Sequence, residues 1–409
     1  MKQIKSKGAT HFIMKLTTEA QVKKGSIGLL LVILISYFVV GFPDGSFTVS
    51  WLGMYDDGLI GTIAHTGYIL VAYSVLYTLA GVILSWLTRF LKLQTVYLSG
   101  LAIMALGFIG LALSMNFSMI LIFIAIYGFG TGAMASSMNS YMAKHFTARH
   151  NNWMHCFWGG GATVSPLIMG QMMNISTWRR GYFVIVGILA VVAVLLLISM
   201  YKKMWIDEDA TDLPKNLVKT AIKKPYLTKR RHQFIEVLTF FFLGGTDYTL
   251  VFFTGAALMA RGVSGEDVAL FSAVYYVCMT IGRVFFGWVA KWIREVPIVR
   301  IGCFLALAGI GVLYFTSNIA GMAITGLGLA PLLPTLVSDT SNRFAPRTIS
   351  KLVGYELAAF GAGIAVLFFM TSLLLEHVSL EMLFPLGVGF VILVFLCNEV
   401  LERAVKRNT

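Results

Sequence analysis

The chain has 409 residues, 57% of them hydrophobic and 12% charged, with 32 Lys and Arg against 19 Asp and Glu. Soluble domains carry roughly 25% charged residues, and surface-to-volume scaling leaves no soluble core able to hide this much apolar surface. An ordinary soluble enzyme is excluded, and the net charge of +13 has to be read from where the cations sit.

A bilayer core is crossed by about 20 apolar residues in a helix. Apolar runs at 27–52, 60–86, 94–114, 118–143, 152–173, 181–201, 234–259, 268–290, 298–316, 319–342, 351–374 and 382–401 predict twelve spans. The runs are long and continuous, without the alternation of a transmembrane β-barrel. The predicted fold is an all-α integral membrane protein. Its predicted parts are a tail 1–25, a six-helix half 26–201, a polar central loop 202–233, a second six-helix half 234–402 and a tail 403–409. The first apolar run is full length, which predicts an uncleaved span.

Ionisable groups inside a bilayer cost at least ~2.5–3.5 kcal/mol each, so every one in a span calls for a reason. Span 1 carries Asp44 on a face with Gly41, Gly45 and Thr48, spaced i, i+3, i+4, i+7. A carboxylate withdrawn from water can take up and release a proton near neutrality, so Asp44 is a candidate for proton coupling and for solute contact. Span 4 offers Asn139, both donor and acceptor. Span 5 begins a stripe of His155, Trp158/Gly159, Ala162 and Pro166. His155 is a second candidate proton carrier and a candidate ligand group. Span 7 holds Asp247 and Tyr248, where a carboxylate would accept from solute hydroxyls beside an aromatic face. Tyr275 and Tyr276 on span 8 and Trp51 on span 1 could stack on a ring, and Gln171 adds a polar group on span 5. On span 8, Arg283 beside Gly282 and Gly287 is expected to pair with Asp339 or Glu356 and hold a gate. Span 10 ends in Asp339 and Arg343, spaced i, i+4. Tyr355, Glu356, Phe360 and Gly363 give span 11 a polar, aromatic face, with Glu356 and Phe360 as candidate solute contacts. Each group has a bland alternative as a structural hydrogen-bond or packing partner.

The charge follows a pattern. Of the 32 Lys and Arg, all but Arg179, Arg180, Arg261 and Arg283 fall on the two tails and on alternate loops, including the central one. This is the positive-inside rule, and it predicts that both termini are cytoplasmic, in agreement with an even number of spans. The four cysteines all lie in spans and read as small apolar residues.

The halves repeat. Gly41-Phe-Pro-Asp44 matches Gly244-Gly-Thr-Asp247 at an offset of 203, and Gly159-Gly-Gly161 matches Gly361-Ala-Gly363 at 202. Gly128-Phe-Gly130 with Phe146-Thr-Ala-Arg149 matches Gly326-Leu-Gly328 with Phe344-Ala-Pro-Arg347 at 198. Repeats flanking a midplane site are a common transporter plan. Gly81-Val-Ile-Leu-Ser85-Trp-Leu-Thr-Arg89 and Gly282-Arg283-Val-Phe-Phe-Gly287-Trp-Val-Ala-Lys291 are degenerate copies of a loop signature, with Ser85 where an acid is expected. With twelve spans, the 6+6 repeat and the basic central loop, the chain resembles the major facilitator superfamily. Within it, Gly41-Phe-Pro-Asp44-Gly-Ser, the Gly130 to Asn139 run and Asn151-Asn-Trp-Met-His155-Cys-Phe-Trp-Gly159-Gly-Gly are similar to the fucose permease-like (fucose:proton symporter) branch. That resemblance implies proton-coupled sugar uptake using an acid in span 1 and another in span 4. Asp44 matches the first, whereas span 4 reads Ala133-Met-Ala-Ser-Ser-Met-Asn139 without a carboxylate, so His155 is the substitute candidate.

The expected function is alternating-access symport of protons with a sugar or similar small polar solute, by a monomer in the cell (inner) membrane. A drug/proton antiporter of the same fold and a non-transporting membrane sensor stay open as alternatives. No Walker Gly-x-x-x-x-Gly-Lys-Ser/Thr, Cys/His metal cluster or nucleophile elbow with a plausible triad is present. Hence no ATP drive, cofactor, metal, enzymatic activity or nucleic-acid partner is expected.

Overall fold

The computed structural model describes residues 27–87, 90–146, 148–205, 227–290 and 292–408. The tail 1–25 and most of the 202–233 loop, with the basic residues assigned there, lie outside the described residues, as do the side chains of Ser85, Arg89, Lys144, Arg149 and Arg347.

Twelve long helices carry the chain: α1 (Ile27–Asp56), α2 (Ile63–Leu87), α3 (Leu93–Ala112), α4 (Phe117–His145), α5 (Ala148–Ile175) and α6 (Trp178–Tyr201) in the first half. The second half holds α7 (Arg230–Ala260), α8 (Gly265–Val289), α9 (Glu295–Thr316), α10 (Ile319–Arg343), α11 (Pro346–His377) and α12 (Leu383–Asn408). Eleven of them are long and apolar enough to cross a bilayer. The twelfth, α5, is diluted by His155, Gly159, Gly160 and Gly161, and the glycines lie at contacts with neighbouring helices. Side chains such as Val191 (62% exposed) and Phe304 (62% exposed) point outward on the helix flanks. A water-soluble surface rarely carries so many, and lipid is their natural solvent.

Two helices are interrupted. α1 breaks into Ile27–Val40 and Phe42–Asp56 at Gly41, because Pro43 has no N–H to offer the preceding turn. The break puts Asp44 in the first turn of the second segment, where the helix dipole favours an anion. α10 breaks at Ala330 and Pro331.

The repeat seen in the sequence is a repeat of helix crossings. A Cβ on Gly161 would fall on the carbonyl oxygen of Phe38, and one on Gly363 on that of Phe241. A Cβ on Gly41 would strike the carbonyl oxygen of Trp158, and one on Gly244 that of Phe360. Thus α1 crosses α5, and α7 crosses α11, backbone against backbone at equivalent points, as small residues permit. Gly161→Ala and Gly363→Ala are expected to lower the thermal unfolding midpoint in detergent by similar amounts. Gly354→Ala, where an added Cβ meets nothing within 4 Å, should leave it unchanged or raise it, alanine being favoured over glycine in a helix by about 1 kcal/mol.

The halves meet through equivalent contacts too: Gly159 of α5 packs on Thr280 of α8, and Gly361 of α11 faces Thr78 of α2. At the end away from the chain termini an aromatic seal joins them. Trp51 stacks on Phe252 with ring centroids 5.2 Å apart, and Phe253 stacks on Phe368 at 4.5 Å. There the Ile63 N–H also donates to Glu376 Oε2 at 2.7 Å.

Candidate functional site

The α1 break, α5, α7 and α8 converge on Asp44. Trp158 Nε1 of α5 donates to Asp44 Oδ2 at 3.0 Å, and the Tyr248 hydroxyl of α7 donates to Asp44 Oδ1 at 3.0 Å. The Tyr276 hydroxyl of α8 donates to the Asp44 carbonyl at 3.2 Å. The carboxylate is therefore held by one donor from each half, and a third donor from the second half fixes its backbone. Charge-assisted hydrogen bonds of this kind contribute about 1.5–3 kcal/mol each.

Next to the carboxylate lies a pocket of about 20 Å³, room for a single water. Tyr73, Tyr127, Tyr248 and Tyr276 line it with Asp44, and Phe252 of the aromatic seal forms part of its wall. Asp247, the repeat mate of Asp44, accepts a short hydrogen bond from Tyr275. Tyr73 and Tyr275 are themselves related by the offset of 202. The two aspartates thus occupy equivalent places, each with a tyrosine hydroxyl on its carboxylate.

Around this centre the first half adds a second polar patch. Asn139 Nδ2 donates to the Tyr37 hydroxyl at 3.1 Å, and the Tyr37 ring meets the His155 ring edge-on at 5.8 Å. Arg283 lies with its guanidinium 5.1 Å from the centre of the Trp158 ring, a cation–π contact. Trp158 in turn meets Tyr276 edge-on at 6.4 Å. Asp44, Trp158, Tyr248, Asp247, Tyr275 and Arg283 therefore form one connected region, with His155 and Asn139 on its flank.

Other expectations are corrected. Among the described residues Arg283 forms no ion pair with Asp339 or Glu356, and Arg343 takes Asp339 itself, Nη2 to Oδ2 at 2.7 Å. Glu356 is fully buried in another part of the second half, where it accepts from Thr340 Oγ1 at 2.9 Å. Trp51 belongs to the aromatic seal, and Gln171 lines a separate outer groove with Gly170 and Asp267. Phe360 contributes its backbone to the Gly244 crossing and its ring to the apolar core.

Sequence reading missed Tyr37, Tyr73 and Tyr127 at the site, and Glu236 elsewhere. Tyr73 had a signal, since it falls on Tyr275 when the halves are aligned. Glu236 had only its place inside the predicted span 234–259 as a signal, since its equivalent in the first half is Ile33.

The profile of the Major Facilitator Superfamily matches residues 33–355. The multidrug efflux pump SdrM of Staphylococcus aureus (strain N315) is 28% identical over 134 residues, 32% of this chain and 30% of that protein. The glucose/mannose transporter GlcP of Bacillus subtilis (strain 168) is 21% identical over 257 residues, 60% of this chain and 63% of that protein. Each match spans less than two thirds of the relative's own length. Among solved structures, an inward-facing, occupied bacterial homolog of the human lysosomal transporter Spinster superposes with a TM-score of 0.71 at 14% identity, covering 93% of this chain and 97% of that one. The peptide transporter POT in complex with sulfate gives 0.71 at 13%, covering 95% and 97%. The nucleoside transporter NupG gives 0.70 at 10%, covering 92% and 99%. At these identities the likeness is one of fold. The chain belongs to the Major Facilitator Superfamily, with the multi-pass membrane fold of a transporter and not of an enzyme.

Proposed function

We propose that the chain is a proton-coupled symporter of a sugar or similar small polar solute, allied to the fucose permease-like branch. The observation that carries this reading is Asp44, a span-1 carboxylate held by Trp158 of one half and Tyr248 of the other. Protonation removes one acceptor from that grip, so proton binding loosens one half from the other at the point where solute enters. The tyrosine hydroxyls at the pocket suit a hydroxylated solute, and Asp247 and Tyr275 supply an equivalent group on the far side. His155 and Asn139, both against Tyr37 in the first half, would share the proton and solute contacts.

The relatives divide over the alternative: one is described as a multidrug efflux pump and one as a glucose/mannose transporter. The polar groups gathered at this centre, Asp44 with its tryptophan and tyrosine donors and Asp247 with Tyr275, favour the second kind of cargo over bulky apolar drugs. In this reading the protein works as a monomer in the cell membrane, its two halves joined by the 202–233 loop, with both termini on the cytoplasmic side.

The test is uptake into vesicles. Under an inward proton gradient, labelled hexoses or polyols should accumulate, and a protonophore should abolish accumulation. A thermal-shift screen of monosaccharides, polyols and nucleosides picks the solute, since binding stabilises the folded state by linkage. Gradient-driven efflux of apolar cations without sugar uptake would overturn the proposal.

A further inference from the structure

Away from Asp44, the second half buries a charged cluster between α7, α10, α11 and α12. Glu236 and Glu356 are 0% exposed, Arg343 2% and Asp339 4%. Arg343 donates from Nη1 to Glu236 Oε2 at 3.0 Å and from Nη2 to Asn398 Oδ1 at 2.6 Å, and it contacts Asp339 as described above. Three carboxylates thus face one guanidinium. Such an excess of like charge in a low-dielectric interior is relieved when one acid is neutral.

Glu356 is the acid left over. Arg343 reaches Glu236 and Asp339, while Glu356 has only Thr340 as partner, and its Oε2 is buried without any. Thr340 Oγ1 lies 2.9 Å from Glu356 Oε1, 3.5 Å from Glu236 Oε1 and 3.2 Å from the Leu336 carbonyl. A hydroxyl has one proton to give and two lone pairs with which to accept. With Glu356 ionised, that proton has three competing acceptors. With Glu356 a neutral acid, its O–H donates to Thr340, and Thr340 donates onward to Leu336 or Glu236.

Among the described residues no second cation forms an ion pair with Glu236, Asp339 or Glu356. Glu402 on α12 has Lys406 at 3.6 Å, and His232 on α7 accepts from Arg231 at 3.3 Å. Glu295 on α9 and Cys397 on α12 are further titratable neighbours among the described residues. The cluster is capped towards the chain termini by a separate apolar knot of Leu227, Phe344, Leu352 and Leu401. Leu227 N–H donates to the Arg343 carbonyl at 2.8 Å, so the last residues of the central linker pin this cap in place.

We propose that Glu356 is a second proton-binding site, distinct from Asp44, holding its proton against Thr340 beneath the Leu227–Phe344 cap. Loss of that proton sets Glu356 against Glu236 and drives α11 from α7 and α10. Because α11 also packs on α2 of the other half, the charge state is passed to the interface between halves. The inference does not depend on what Asp44 binds.

Infrared spectroscopy of the purified protein tests it without any solute. Wild type should show the carbonyl stretch of a buried neutral carboxylic acid. Glu356→Gln should lose that band, and Asp44→Asn should keep it. Thr340→Val, which leaves Glu356 in place but removes its acceptor, should keep the band and shift its frequency. A spectrum unchanged by Glu356→Gln overturns the proposal, and a band lost in Asp44→Asn but kept in Glu356→Gln assigns the proton to the first site instead.

Discussion

Replacing Arg343 by methionine is expected to lower the thermal unfolding midpoint in detergent by roughly 10 °C. The side chain is 2% exposed, hydrogen-bonds Glu236 and Asn398, and lies in ion-pair contact with Asp339. Without it, Glu236 and Asp339 remain in the interior with no cation. Breaking a buried pair from one side costs about 3–5 kcal/mol, because an uncompensated charge is left behind. For a unit of 150–250 residues that corresponds to ~2–4 °C per kcal/mol. The same physics gives a reversal. Removing the charges together, as Glu236→Gln with Asp339→Asn and Arg343→Met, should recover much of the loss, since neutralised networks are often as stable as the ionic ones they replace. A single Arg343→Met variant that melts with wild type would show that the cluster contributes nothing to cohesion.

This cluster marks the limit of what the sequence discloses. The i, i+4 spacing of Asp339 and Arg343 was readable, and the pair is formed. Glu236 and Glu356, by contrast, reach the same cluster from helices α7 and α11, and no local spacing encodes a meeting between helices so far apart in the chain. The expected partnership of Arg283 failed for the same reason: membrane depth alone does not choose between neighbouring helices. Hydropathy placed the twelve spans well but cut several short. The run 351–374 became Pro346–His377, and 382–401 became Leu383–Asn408. Helix ends continue past the apolar stretch because backbone hydrogen bonds outlast the hydrophobic signal.

Symmetry carried more information than any motif. The offset of 203 joined Asp44 to Asp247, and the structure gives both a tyrosine donor. The glycine offsets coincide with backbone crossings, so they report contact geometry as well as ancestry. Where the halves depart from one another, the hydrogen bonding of the paired aspartates differs. Trp158, which donates to Asp44, corresponds to Phe360, which has no N–H to give. Asp44 thus has a second side-chain donor that Asp247 lacks, and the two aspartates are not interchangeable.

Asp44→Asn is expected to cut proton-driven accumulation sharply while sparing solute exchange. An ionised Asp44 accepts from Trp158 and Tyr248 together; a neutral side chain keeps one accepting oxygen. Asparagine is fixed in that second condition, since its NH2 group cannot accept. The lost bond is worth about 1.5–3 kcal/mol, and a factor of ten corresponds to about 1.4 kcal/mol. Accumulation under an imposed pH gradient should therefore fall roughly 10- to 150-fold. Counterflow, which moves solute both ways without net proton movement, should continue. Tyr248→Phe separates grip from charge, because it removes one donor and leaves the carboxylate able to titrate. Its cost is that of an ordinary hydrogen bond, about 0.5–1.5 kcal/mol, or a loss of apparent affinity of roughly 2- to 13-fold with coupling intact. If Asp44→Asn accumulates solute as wild type does, the carboxylate is a structural staple between halves and the coupling proton resides elsewhere. Glu356, in the only cluster among the described residues where acids outnumber cations at full burial, would then be the group to follow.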